Sequence, residues 1–245
     1  MGEREVAAFL KPVRFGSTRS IGSLDLYKLA LVTALSALAG YVDAVGFLKL
    51  GGVFIAFMSG NSTELGAGLG TGRGVELIRC GLVILTFLAG VVAGALAARL
   101  DRGRDRQTVL AVESALLLIA SLLQMYGHEM TAISVMTLAM GVENGVFQRH
   151  GEVSTALTYM TGTLVKMGQE MASALTGGPR FGWATHFLHW AAFVAGAVAG
   201  GAGYHRFGMQ AIWAAAIWAA CATLAAGWQP TNETRSAGGP PAAAP

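Results

Sequence analysis

Apolar residues gather into eight runs along the chain, at about 26–50, 52–70, 75–99, 107–126, 131–148, 153–176, 182–204 and 209–228. Runs near twenty residues are what an α-helix needs to cross about 30 Å of hydrocarbon, so the pattern predicts an all-α polytopic membrane protein. Two runs depart from it. Ser59-Gly60-Asn61-Ser62-Thr63-Glu64 puts small and polar residues in the centre of the second run, and Tyr159-Met160-Thr161-Gly162-Thr163 does so more mildly in the sixth, with Lys166 and Glu170 following. Irregular backbone at membrane depth is tolerated only inside protein or along a cavity, because unpaired N–H and C=O groups facing lipid are costly. The segments 53–64 and 154–165 are therefore expected inside the bundle, against each other.

The runs divide four and four, and the halves resemble each other. Gly40-Tyr41-Val42-Asp43-Ala44-Val45 followed by Met58-Ser59-Gly60-Asn61 returns as Gly141-Val142-Glu143-Asn144-Gly145-Val146 followed by Met160-Thr161-Gly162-Thr163. Phe87-Leu88-Ala89-Gly90-Val91-Val92-Ala93-Gly94 returns as Phe193-Val194-Ala195-Gly196-Ala197-Val198-Ala199-Gly200. Three ordered matches at nearly constant offset predict an internal repeat, 26–126 and 127–228, flanked by polar or Pro-rich tails at 1–25 and 229–245 that are expected to be disordered.

Charge orients the repeat. Arg99, Arg102, Arg104 and Arg106 share one short connection, and Arg4, Lys11, Arg14 and Arg19 precede the first run. Positive loops stay in the cytoplasm, so an even number of crossings should separate these two clusters. Three runs intervene, and the polar-centred 52–70 is the one expected to turn back. Each half then contributes three full spans and one broken or re-entrant helix, and an odd-span unit must be inverted relative to its copy. The expected architecture is two inverted repeats with six full spans and both termini cytoplasmic; the alternative is eight full spans in parallel repeats.

Composition agrees: 53% of residues are hydrophobic and 13% charged, against about 25% charged in soluble domains, and mean hydropathy is +0.53. The 34 glycines fall largely within apolar runs, where they let helix backbones approach closely. A net charge of +3 with no aromatic-interleaved basic patch gives no reason to expect a nucleic-acid partner. Cys80 and Cys221 stand alone in separate runs, without the spacing of a zinc site. The first 24 residues hold no apolar centre of a signal peptide, which suits a multi-pass protein of the bacterial cytoplasmic (inner) membrane.

The string 40–48, continuing through Leu50-Gly51-Gly52-Val53-Phe54 and Met58-Ser59-Gly60-Asn61, resembles the N-terminal signature of the YoaK-like bacterial membrane proteins, a domain-of-unknown-function family. Gly141-Val142-Glu143-Asn144-Gly145 and Thr161-Gly162-Thr163 are similar to its second signature. The resemblance spans roughly 26–226. It departs from the family pattern at Ser59, where Thr is usual, and at Glu143, where Gln is usual; the latter adds an ionisable group. The resemblance implies an architecture and leaves the activity open.

Asp43 leads the candidate residues, because a carboxylate inside an apolar helix marks either a functional path or a buried partner. It can hold the Ser59-Gly60-Asn61 break by hydrogen bonds, or it can contact a solute or ion. Asn144, at the matching position, can make the same hydrogen bonds without charge. In Ser59-Gly60-Asn61 and Thr161-Gly162-Thr163, glycine lets the chain turn, and a helix N-terminus exposed at such a break suits an anionic group. With Glu64 and Glu143 these residues form the expected substrate-binding set: Asp43, Ser59, Gly60, Asn61, Glu64, Glu143, Asn144, Thr161, Gly162 and Thr163. Glu64, Glu113, Glu143, Lys166 and Glu170 can also form buried pairs, and two carboxylates in one cavity can take up protons. His186 and His189 lack a third ligand, so no metal or cofactor is expected.

No nucleophile–base pair, ATPase motif or metal spacing is present, so an enzyme is not expected. The favoured function is a secondary transporter or channel for a small solute, with a proton or ion as further partner beside the lipid bilayer. A membrane-embedded enzyme and a partner-binding membrane subunit are the alternatives, and homo-oligomerisation is left open.

Overall fold

The computed structural model describes residues 23–100, 105–146, 148–149, 152–153 and 159–227. The expected tails, and most of the arginine-rich connection, lie outside the described residues. The helices are α1 (Ser23–Leu50), α2 (Met58–Thr71), α3 (Gly74–Leu100), α4 (Asp105–Met125), α5 (Glu129–Glu143), α6 (Met160–Leu175), α7 (Trp183–Phe207) and α8 (Ile212–Gly227). A 3-10 turn, Gly208–Ala211, joins α7 to α8, and Gln148–Arg149 pairs antiparallel with Glu152–Val153.

Each helix answers one of the eight apolar runs, with shifted edges. The second run is irregular over 51–57 and helical only from Met58, because Gly51 and Gly52 take φ of +69° and +117°, a region that favours glycine. The Gly52 N–H bonds the Phe47 carbonyl at 3.0 Å and closes α1. The fifth run ends as helix at Glu143 rather than 148, tightening through Gly145 N–H to Val142 O (2.8 Å) and Val146 N–H to Glu143 O (3.1 Å).

Among the described residues, four stretches are long and apolar enough to cross a bilayer: Leu26–Leu50, Leu77–Arg99, Arg106–Met125 and Trp183–Gly227. The last holds two helices, divided at Gly208, whose φ is +58°. The outer face of α3 shows which solvent the fold expects. Ile78, Leu82, Leu85, Val92 and Leu96 are all exposed on it, at the spacing of one helical stripe. In water such a stripe would be an exposed apolar patch; in a bilayer it is the lipid-facing side. The chain is a helical, multi-pass membrane protein.

α1 and α5 supply much of the core, α1 through Leu31, Leu35, Leu38, Ala39, Val42 and Val45, α5 through Ala132, Ile133, Met136, Ala139 and Met140. α1 packs along α7, α3 along α5, and α4 against both α5 and α8. α2 rests on α3, and α6 on α7. The first two contacts are glycine seams. A Cβ on Gly40 would meet the Phe193 carbonyl, one on Gly196 the Ala37 carbonyl, and one on Gly200 the Tyr41 carbonyl. In α3 and α5, Gly141 would meet the Phe87 carbonyl, Gly90 the Leu138 carbonyl and Gly94 the Val142 carbonyl. Small residues allow this backbone-to-backbone approach, which is how membrane helices gain packing where lipid offers no hydrophobic drive.

Polar side chains tie the remaining joints. Tyr41 Oη donates to Ala211 O at 2.9 Å, fixing α1 to the α7–α8 turn, and the Ser114 and Thr223 hydroxyls meet at 2.8 Å between α4 and α8. Lys49 Nζ donates to Glu129 Oε2, bringing the end of α1 to the start of α5.

Candidate functional site

Asp43 lies about two turns before the end of α1 and is 5% exposed. Its Oδ1 accepts the N–H groups of Ile55 and Ala56, both at 2.8 Å, and the Phe57 amide also bonds the carboxyl. These donors belong to the irregular 51–57 segment, whose amides have no helix to satisfy them. A buried amide must find a partner, and one carboxyl collects several.

Asn61 grips the same segment from the other side. Its Oδ1 accepts from Phe54 N–H at 2.9 Å and its Nδ2 donates to Phe54 O at 2.6 Å, so one amide side chain closes both halves of a backbone unit. Around these polar contacts the loop is apolar: Val53, Ile55 and Ala56 are buried, and Ile55 fills the space that a side chain on Gly46 would need. The Phe54 ring stands 4.7 Å from Phe47 and 5.2 Å from Phe57, centroid to centroid. The sequence leads one to expect the partners of Asp43 around 59–61. They lie at 55–57 instead, because the chain turns at Gly51-Gly52 before the polar triplet is reached.

Ser59 is exposed and Gly60 half-buried; both fall in the first turn of α2, downstream of the irregular backbone. Glu64 is partly exposed and faces Arg73 at 3.6 Å. In α6, Thr161 is exposed, Gly162 is buried beneath its own neighbour Tyr159, and the Thr163 hydroxyl donates to Tyr159 O at 3.3 Å. Neither α2 nor α6 has a side-chain cap at its N-terminus. Among the described residues no extensive packing joins α2 to α6, contrary to the expectation that the two segments meet; each short helix rests on its own long neighbour, α2 on α3 and α6 on α7, while 154–158 lie outside the described residues.

Glu143 is fully buried and Asn144 nearly so. Asn144 Nδ2 donates to Met140 O at 2.9 Å. Glu143 has a companion that the sequence reading gave little weight: Glu113 of α4, also fully buried, whose charge acts on it. The signal was available. α4 and α5 form a hairpin about the turn at 126–128, and the two glutamates stand at nearly equal distances from it. Lys166 is exposed, and its charge and that of Glu170 act on His186. Among the described residues no group of three or more His, Cys, Asp or Glu side chains comes together as a metal site. The groove between α1, α7 and α8, of about 620 Å³, is lined by Leu26, Leu29, Ala30, Leu188, Ala192 and Trp218 among others and touches none of the candidate residues.

Residues 31–225 match the family described as "Protein of unknown function (DUF1275)". A UPF0700 transmembrane protein of Rhizobium meliloti (strain 1021) is 33% identical over 198 residues, 81% of this chain and 85% of the relative. The UPF0700 transmembrane protein YoaK of Bacillus subtilis (strain 168) is 29% identical over 160 residues, 61% of this chain and 69% of the relative. No solved structure matches the chain. The resemblance read from the two signatures is borne out.

Proposed function

The chain belongs to the DUF1275 family, and from there we propose that it is a secondary carrier or channel for a small solute in the bacterial inner membrane, built from two inverted repeats with six full spans and two short, non-spanning helices. The observation that carries this reading is the pair of glycine seams. Exchanging the chain halves turns Gly40 against Phe193 into Gly141 against Phe87, Gly196 against Ala37 into Gly90 against Leu138, and Gly200 against Tyr41 into Gly94 against Val142. Inverted repeats that meet across a central axis are a common plan of solute carriers.

The Lys49–Glu129 ion pair supports inversion over the parallel alternative. It joins the end of α1 to the start of α5, so an even number of crossings separates residues 49 and 129. α3 and α4 both contain spans, which leaves α2 to return to the side it left.

Uptake assays test the function itself. Purified protein in liposomes should accumulate or exchange a small solute above protein-free vesicles; inertness across a broad panel of metabolites and ions, with the protein demonstrably folded, would count against a carrier. Topology has its own test. Cysteines placed at Ser20, Gln107 and Ser236 should resist an impermeant thiol reagent in intact cells and react once the membrane is opened. External labelling at any of the three would break the inverted arrangement.

A further inference from the structure

The α4–α5 hairpin encloses two carboxyl groups that no other part of the fold answers. Glu113 and Glu143 are both fully buried, and all four of their oxygens lack a hydrogen-bond partner. Ser36 and Tyr27 of α1 have no hydrogen-bond partner, and neither they nor the buried Cys80 of α3 bond these carboxyls. Ser121 and Thr137, the other fully buried polar side chains of the hairpin, donate to Leu117 O and Ile133 O of their own helices, at 2.8 and 2.9 Å. Among the charged and titratable side chains of the packed elements, Asp43 of α1 accepts the loop amides, Lys49 holds Glu129, Cys221 of α8 is exposed, and Tyr41 is bound to Ala211. Tyr27 and Lys28 of α1, Arg79 and Arg99 of α3 and Arg106 of α4 make no bond to either glutamate. The charge that acts on Glu143 is that of Glu113.

Two buried carboxyls on helices packed against each other, with no donor bonded to either, are a poor arrangement in an apolar interior, and a bound cation repairs it. A hard metal ion wants six or more oxygen ligands, and the hairpin offers only these carboxyls, with no third acidic, His or Cys side chain gathered beside them among the described residues. A proton asks for less. It turns one carboxyl into a donor, the single function the site lacks, and the other carboxyl accepts from it. We propose that Glu113 and Glu143 form a proton-binding site in the core of the hairpin, in which the protonated carboxyl of one residue hydrogen-bonds to the other. The site stands apart from the carrier reading: a buried carboxyl pair holds a proton whether or not a solute moves.

Infrared difference spectroscopy on the full-length protein in bilayers tests it. Wild type should show the C=O stretch of a buried protonated carboxyl, moved by exchange into heavy water. Glu113→Gln and Glu143→Gln should each shift that band, since each removes one member of the pair, and the double variant should lose it. Asp43→Asn should leave it in place. A band that survives unchanged in the double variant, or that keeps the wild-type position in both single variants, would overturn the pair. So would a carboxylate response driven by sodium at constant pH.

Discussion

Gly196→Ala and Gly90→Ala are expected to unfold or severely destabilise the protein, while Gly81→Ala is expected to stabilise it slightly. The first two positions face backbone: an added Cβ would run into the Ala37 carbonyl in one seam and the Leu138 carbonyl in the other. Carbonyls held in a helix cannot swing aside as a side-chain tip can, so the two helices must separate. Overpacking of this kind costs about 1–3 kcal/mol and occasionally more, and here it also breaks contacts along the seam. Gly81 lies inside α3 with nothing within 4 Å of its would-be Cβ, and replacing a glycine inside a helix by alanine gains about 0.5–1 kcal/mol. Thermal unfolding in detergent, followed by loss of the monodisperse peak on size exclusion, separates the cases. Wild-type stability in Gly196→Ala would mean that the α1–α7 seam is not packed as described.

The second large effect is expected at Asp43. Asp43→Ala should destabilise by about 1–3 kcal/mol for each buried N–H it orphans, and Ile55 and Ala56 both lose their acceptor. Asp43→Asn should be milder, because the Ile55 and Ala56 bonds end on one oxygen, which an amide can supply, leaving at most the Phe57 bond at risk. Hydrogen exchange should speed at the amides of 54–57 in the alanine variant and stay near wild type in the asparagine variant. The same pair of variants bears on transport. If the carboxylate couples an ion, Asp43→Asn should fold and yet abolish solute movement; normal transport by that variant would confine Asp43 to holding the loop.

Much of this fold was legible because its physics is periodic. Each apolar run became a helix, since lipid-facing and core-facing positions are both apolar and length alone marks the element. The edges were not legible. At the junction of the first two runs the positive φ of Gly51 and Gly52 ends α1 and moves the irregular backbone ahead of the polar triplet, taking the partners of Asp43 with it. The repeated Phe-x-Ala-Gly-x-Val-Ala-Gly blocks were visible as a match, but their use as seams was not, because the helix each one presses on lies in the other half of the chain. Of the candidate residues, Asp43 and Asn61 come together on the 51–57 segment, whereas Ser59 and Thr161 point outward and Glu64 faces Arg73. Glu143 gained meaning only beside Glu113, a neighbour fixed by hairpin geometry and far away in sequence.

The seams also decide what can be cut. α1 leans on α7, and α3 on α5, so among the described residues the helix-to-helix glycine contacts with backbone join a helix from the first half to one from the second. A fragment ending at Tyr126 would carry Gly40, Gly90 and Gly94 with no opposing backbone, and a fragment beginning there would carry the complementary surfaces equally bare. Two such fragments could find each other only by rebuilding both seams at once. On the inverted arrangement proposed above, a single half, made alone, could satisfy its glycines only by meeting another copy of itself upside down in the same bilayer.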